Sequence, residues 1–332
     1  MSGAPNRQWV LRSRPVGMVK ERDFELKESP LPVPGDGQAL VRNRWLAFEP
    51  AMRGWIDDRP NYLPPVPLGD VMRGMAVGEV VESHVAGLEP GDLVSGTLGW
   101  QEYAIGDAAL RKLPPGTDPR LALSVLGITG ITAYFGLLEV GDLREDDVVV
   151  VSGAAGATGS VAGQIAKLHG CRVIGIAGGA EKCAWLTDKA HFDAAIDYKS
   201  EDVGERLSAL CPDGIDLFYD NVGGPVLDEV LARIARGARI VVCGAISQYN
   251  EEDDFAGLRN YYRIVAQRGR IQGFVVLDFL GRAGEAVERL AQWVAEGRIA
   301  WEVDVQQGFE NVPRTLLRLY SGANFGKQLL EL

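Results

Sequence analysis

The sequence predicts an α/β fold of two domains, in which a doubly wound parallel sheet is inserted between the two parts of a barrel-like β domain. Three observations lead there. The chain has 332 residues, more than one hydrophobic core comfortably fills. The first ~120 residues carry short β-like runs between frequent Pro and Gly turns. From Asp147 onward, apolar strands alternate with amphipathic helices, the pattern of a parallel sheet covered on both faces.

The first domain, 1–124, is punctuated by Pro30–Gly35, Pro64–Pro67, Glu89–Asp92 and Pro114–Gly116, with β-like runs at Gln38–Arg42 and Met75–Glu82. The texture changes near Leu121. The second domain, 125–298, contains strands at Val148–Ser152, Arg172–Ala177, Ile215–Tyr219, Arg239–Cys243 and Arg270–Val276. Helical spacing covers Thr158–His169, Glu181–Ala190, Val226–Ala235 and Ala283–Glu296. β texture returns with Ile299–Val305, and 299–332 is expected to rejoin the first domain. There is no internal repeat and no low-complexity segment.

Composition narrows the function. Lys and Arg number 34 against 45 Asp and Glu, a net charge of −11. A general nucleic-acid binder needs excess cations to displace counterions, so that class is excluded. The four cysteines, Cys171, Cys183, Cys211 and Cys243, form no C-x-x-C pair, and there are three histidines. No zinc-ligand spacing is present, and no metal is expected. The start is polar and basic, without the apolar core of a secretion signal. Leu121–Leu138 and Val148–Ala166 lack charge but are broken by Gly, Ser and Thr, so neither is read as a membrane span. These features indicate a cytoplasmic protein with no membrane partner.

The clearest chemical signal is Val148-Val149-Val150-Val151-Ser152-Gly153-Ala154-Ala155-Gly156-Ala157-Thr158-Gly159-Ser160, which follows a strand and opens a helix. Ala154, Gly156 and Gly159 hold the three small positions of a dinucleotide fingerprint. Such a turn must be tight, and the backbone must approach a pyrophosphate closely. The helix N-terminus then offers N–H donors and a partial positive charge. The second strand, about 20 residues on, ends in Gly178-Gly179-Ala180-Glu181-Lys182 with no carboxylate at its tip to bind a ribose 2′-hydroxyl. Lys182 suits the 2′-phosphate of NADP(H); the alternative is an exposed helix lysine.

These residues, with their flanking segments, resemble the zinc-free branch of the medium-chain dehydrogenase/reductase superfamily. The likeness is to the leukotriene B4 dehydrogenase/prostaglandin reductase group, with its double-bond and curcumin reductases. It covers nearly the whole chain and is carried by Glu49–Trp55, Gly127–Tyr134, Ala154–Ser160, Asp220–Gly224, Cys243–Asn250, Ile271–Val276 and Gly322–Lys327. The resemblance implies a GroES-like β domain joined to a Rossmann domain, NADP(H) as cofactor and a homodimer. It also implies reduction of the C=C bond of α,β-unsaturated ketones or aldehydes. By match to the motifs, the cofactor contacts are Thr129, Gly156, Ala157, Thr158, Gly159, Gly178, Lys182, Tyr198, Asn221, Cys243, Gly244, Ile246, Ser247, Tyr249, Phe274, Val275, Val276 and Asn324. Tyr249 matches the tyrosine near the substrate carbonyl, and Tyr62 a tyrosine that some members use. Two departures stand out: Ala51 replaces an aromatic, and Gly178-Gly179 replaces a polar residue near the 2′-phosphate.

Hydride addition to the β-carbon leaves negative charge on the carbonyl oxygen, and a phenol such as Tyr249 is a suitable donor to it. Read without the resemblance, Tyr249 could instead only cover a cofactor cleft, and Tyr62 could be a rigid loop wall. The acidic run Glu251–Asp254 reads as a solvated loop face. Two other functions stay open at this level: an NADPH quinone oxidoreductase with a flatter pocket, and a noncatalytic NADPH-binding protein. The run Arg270–Val276 reads as an edge strand, which needs covering or pairing, and the resemblance implies that two subunits pair there.

Overall fold

The chain divides into two units, Met1–Ser124 with Val303–Leu332, and Val125–Glu302. The structure, a computed structural model, describes residues 5–251 and 257–332. Residues 252–254 of the acidic run therefore lie outside the described residues.

The first unit begins with the strands β1 (Asn6–Leu11), β2 (Phe24–Ser29) and β3 (Ala39–Ala47), followed by a helical turn, α1 (Met52–Trp55). Then come β4 (Ala76–Ser83), β5 (Leu93–Gly96), β6 (Tyr103–Gly106), β7 (Arg111–Lys112) and α2 (Pro119–Leu123). Asp118 caps α2, its carboxylate accepting from the Arg120 N–H at 2.8 Å, with Pro119 at the first helical position.

The second unit opens with α3 (Ile128–Phe135) and then alternates: β8 (Val148–Ser152), α4 (Ala157–Leu168), β9 (Arg172–Ala177), α5 (Ala180–Asp188), β10 (Ala194–Asp197), α6 (Val203–Leu210), β11 (Ile215–Asp220), α7 (Gly224–Leu231) and β12 (Ile234–Val242). It closes with α8 (Tyr262–Gln267), β13 (Arg270–Gly273) and α9 (Ala283–Ala295). The last segment adds β14 (Val303–Gln307), α10 (Val312–Tyr320) and β15 (Lys327–Glu331).

In the first unit β3 is the organising strand. It pairs with β4 antiparallel along one side. Its other side is shared, β6 taking Ala39–Arg42 and β15 taking Trp45–Ala47. β14 extends the sheet parallel to β15. Trp100, fully buried, sits in this core with Phe24 and Phe48 at ring-centroid distances of 5.1 and 5.5 Å. β15 brings one charge inside: the Lys327 ammonium donates to Glu49 Oε1 at 2.6 Å and to the Phe48 carbonyl at 3.1 Å. A lysine so deeply buried persists only with such partners.

The second unit holds a six-stranded sheet in the order β10-β9-β8-β11-β12-β13, parallel at every pairing. Val149, Val150 and Val151 have no exposed surface, which explains why β8 reads as an unbroken β-branched run. The chain order reverses between β8 and β11, so the crevice beyond their C-terminal ends is where a ligand is expected in such a sheet. Among the described residues, no helix is long and apolar enough to cross a membrane.

The structure corrects several expected boundaries. β10 and α6 were not foreseen. α7 stops at Leu231, short of the expected Ala235, because Ile234 already pairs with Ile215 at the start of β12. That strand ends at Val242, leaving Cys243 just beyond it. β13 ends at Gly273, where the expected strand ran to Val276, because Val276–Arg282 turns into a 3₁₀ helix. The returning strand begins at Val303 rather than Ile299, and α10 interrupts the expected β texture. Ile299–Glu302 stay with the second unit, since Gln164 on α4 clamps Ala300 by accepting its N–H at 2.7 Å and donating to its carbonyl at 2.9 Å.

Candidate functional site

The site grows from the end of β8. After Ser152 the chain turns through Gly153, whose φ of +57° suits glycine. The Ala154 N–H donates to the Ile176 carbonyl at 3.0 Å, which ties the turn to β9. Gly156 ends the turn and precedes α4, which starts without a side-chain cap. The first N–H groups of this twelve-residue helix therefore face whatever the turn holds. Gly159 is where the helix packs hardest on the turn: a Cβ there would lie 2.5 Å from the Gly153 carbonyl oxygen. Ala157 and Thr158 stand between these glycines in the first helical turn.

The tip of β9 forms the second part. Gly178 lies against the Tyr198 ring, so closely that a Cβ would be 2.8 Å from a ring carbon. Gly179 has φ of +102°, and its N–H donates to Asp197 Oδ1 at 2.7 Å. The Lys199 N–H and the Ser200 hydroxyl also donate to that carboxylate, and the backbone N–H bonds from Gly179 and Lys199 hold its pKa below the usual carboxylate value. Lys182 follows in the first turn of α5. A backbone without side chains and an aromatic face thus meet at one strand tip, with Lys182 three residues beyond Gly179 in the chain.

Asp220 and Asn221, at the end of β11, form the third part. Asn221 Nδ2 donates to the Ser152 carbonyl at 2.7 Å and its N–H donates to Ser152 Oγ at 2.9 Å. Ile246 and Ser247, beyond β12, reach back to this turn through N–H bonds to the Asn221 and Val222 carbonyls. Ser247 Oγ also donates to the Val222 carbonyl at 2.6 Å.

The Tyr249 hydroxyl accepts the Ala245 N–H at 3.2 Å. Gly244 makes room for it, since a Cβ there would lie 3.0 Å from that oxygen. Burial, and then the Asp220 charge, push the Cys243 thiol up to about 12 against a hydrogen bond with Tyr219 that lowers it. Cys243 is therefore a neutral thiol and not a nucleophile.

The remaining expected contacts spread out. Thr129 is buried in the first turn of α3. The Phe274 ring lies over Gly136, where a Cβ would be 2.4 Å from a ring carbon, and Val275 and Val276 follow it, half-buried. Asn324 belongs to the other unit, where its Nδ2 donates to the Gly326 carbonyl at 3.1 Å. Tyr62 is also in that unit, 46% exposed, its hydroxyl accepting from Trp55 Nε1 at 3.2 Å. Asp197 and Asp220 escaped the sequence reading. Asp197 lies on the unforeseen β10, and Asp220 shows its role only through loops distant in sequence.

The arrangement fits a phosphorylated dinucleotide. Cβ atoms at Gly159 and Gly178 would fill the close approaches, and α4 presents uncapped N–H groups where a pyrophosphate is held in such folds. Among the described residues, no group of three or more His, Cys, Asp or Glu is placed to hold a metal ion.

Comparison with known proteins agrees with this geometry. A family model described as the N-terminal domain of oxidoreductase matches residues 7–112, and one described as zinc-binding dehydrogenase matches residues 157–296. The chain is 42% identical to the NADPH-dependent curcumin reductase of Escherichia coli, over 98% of this chain and 96% of that protein. It is 38% identical to an NADP(+)-dependent 2-alkenal reductase of Nicotiana tabacum, over 98% of this chain and 97% of that protein. Among solved structures, CurA of Vibrio vulnificus in complex with NADPH superposes with a TM-score of 0.94 at 42% identity, covering 98% of each chain.

Proposed function

The chain belongs to the medium-chain dehydrogenase/reductase superfamily, in the group that includes curcumin and 2-alkenal reductases, and from that premise we propose that it reduces the C=C bond of α,β-unsaturated ketones and aldehydes with NADPH. NADPH, when bound, supplies the hydride that adds to the β-carbon. The chain's own residues bind and orient. The N–H groups opening α4 and the turn Gly153–Gly156 hold the pyrophosphate. Lys182 and the Tyr198 face hold the 2′-phosphate, with Gly178 leaving the room. Asn221, Ile246 and Ser247 fix the loops on the nicotinamide side, and Thr129 and Phe274–Val276 complete the cofactor contacts of this unit.

Tyr249 is the donor to the carbonyl oxygen on which charge develops. The observation that carries this role is the Ala245 N–H bond to its hydroxyl at 3.2 Å. It fixes the phenol oxygen against the segment that follows β12, beside the turn at the end of β11. A donor aimed at a developing enolate stabilises the transition state more than the ground state.

The test is NADPH oxidation followed at 340 nm with trans-2-alkenals, an aryl enone, a curcumin-like dienone, a benzoquinone and a saturated aldehyde. Turnover of enones to saturated ketones is expected. Tyr249→Phe is expected to lower kcat by about 10²–10³-fold, the cost of one such donor, with KM for NADPH little changed. Turnover of the quinone alone would move the function to a quinone reductase. NADPH binding without turnover of any acceptor would make this a binding protein.

The assembly we propose is a homodimer through β13. This strand ends the sheet, and all four of its residues are exposed. Tyr261, Tyr262, Val265, Leu277 and Leu280 add exposed apolar surface around it. An edge of this kind is normally covered or paired. Four free cysteines suit the reducing cytoplasm, where we place the protein.

A further inference from the structure

Asp220 is fully buried, and nothing in the hydride chemistry uses it. Its Oδ1 accepts three hydrogen bonds, from Ser152 Oγ at 2.7 Å and from the Val222 and Gly223 N–H groups at 3.0 Å each. Its carbonyl accepts two more, from the Cys243 N–H at 2.8 Å and the Gly244 N–H at 3.1 Å. Ser152 is the last residue before the phosphate turn. Val222 and Gly223 open α7, and Cys243 and Gly244 lead into the segment that carries Tyr249. One residue therefore ties together the ends of β8, β11 and β12.

The other oxygen makes the arrangement unusual. Oδ2 is buried and has no hydrogen-bond partner. A carboxyl group placed only to satisfy itself would not leave an oxygen dry, because a buried unpaired acceptor costs about 1–3 kcal/mol. Burial outweighs the three donors and raises its pKa above the usual range. What the carboxylate gives in return is one acceptor that holds Ser152, at the end of β8, to the Val222-Gly223 turn before α7.

We propose that Asp220 is a positioning residue that holds the pyrophosphate turn in register with the nicotinamide-side loops, so that the two halves of NADPH are bound in one geometry. This rests on the cofactor reading above. It separates Asp220 from the 2′-phosphate subsite at the β9 tip, to which the residue makes none of these bonds.

The experiment measures dissociation constants for NADPH and for adenosine 2′-monophosphate, a fragment that carries the 2′-phosphate without a 5′-phosphate and so reaches the β9 tip but not the pyrophosphate turn. The proteins are the full chain and the variants Asp220→Ala, Asp220→Asn and Ser152→Ala, with Tm recorded for each. Asp220→Ala is expected to weaken NADPH at least tenfold and the fragment less than twofold. Asp220→Asn keeps an oxygen for the same three donors and recovers most of the lost affinity. Ser152→Ala removes one bond to Oδ1 and gives a smaller loss, again confined to NADPH. Should Asp220→Ala fail to fold, the Ser152→Ala and Asp220→Asn results decide. NADPH binding unchanged in Ser152→Ala and Asp220→Ala would overturn the proposal, as would equal loss of both ligands. Failure of the unsubstituted chain to bind NADPH would instead sink the cofactor reading.

Discussion

Replacing Gly159 by alanine puts the packing of α4 on the phosphate turn to a direct test. The added Cβ would lie 2.5 Å from the Gly153 carbonyl oxygen and 3.0 Å from Cα of Ala154. Real Cβ atoms stay beyond 3.0 Å, so helix and turn must part by at least 0.5 Å, and by 0.9 Å to reach ordinary contact at 3.4 Å. Both obstructing groups are main chain, and no rotamer change relieves them. Overpacking of this kind costs about 1–3 kcal/mol, and Tm falls about 2–4 °C for each kcal/mol in a unit of this size. A shift approaching 1 Å in groups that position a reactant costs up to about 10²-fold. The dissociation constant for NADPH, read by quenching of protein fluorescence, should therefore rise about 10–100-fold. Gly284→Ala is the control, since a Cβ in the first turn of α9 meets nothing within 4 Å. NADPH binding within twofold of the unsubstituted protein, with Tm unchanged, would refute the reasoning.

Other outcomes follow from the same structure. Lys182→Ala should weaken NADPH by about 10–100-fold, the worth of one charge-assisted contact, and leave NADH nearly unchanged; equal loss of both coenzymes contradicts the 2′-phosphate role. Ile271→Asp, on the exposed edge strand β13, should sediment as a monomer that still binds NADPH, and a monomeric unsubstituted chain would end the dimer proposal. Asp304 on β14 accepts from Arg318 Nη2 at 2.6 Å. Burial raises its pKa, but bonds from Arg318, Gln306 and Gln328 outweigh burial and hold it below the usual 3.8. Its contribution to stability is thus present above the unfolded value and lost as pH falls through the folded one. The Tm gap between the unsubstituted chain and Asp304→Asn, open at neutral pH, should close below about pH 3.8; a gap constant across acid pH would rule this out.

The parts of the fold that were legible are those where one residue pattern has one structural meaning. Val148–Ser152 and Arg172–Ala177 match β8 and β9 residue for residue, because strands buried on both faces demand unbroken apolar runs. Ala194–Asp197 was missed because two alanines and four residues give almost no β signal. Val226–Ala235 was read as one helix because Ile234 continues the apolar spacing of Leu227, Val230 and Leu231. All four pack into the same core cluster, so periodicity does not separate a helix end from a strand start. The tight turn after β8 was legible because close approach admits only small residues at fixed positions. Asp220 was not, because its partners Ser152 and Val222 lie 68 residues and 2 residues away, and a carboxylate at a strand end has no spacing of its own.

The placement of β15 sets the order in which the molecule can be completed. This five-residue strand lies between β14 and β3, yet it follows every other described element in sequence. As the polypeptide leaves the ribosome, Val125–Glu302 has all six of its strands while the sheet of the first unit still lacks an interior member. The early strands must wait with Glu49 unpaired until Lys327 arrives 278 residues later. Long-range closure of this kind is slow and leaves sheet edges exposed to other chains meanwhile. Loss of Lys327–Glu331 would leave Glu49 without its ammonium partner and the sheet of the first unit without the strand between β14 and β3, while the six strands of Val125–Glu302 would keep all their pairings.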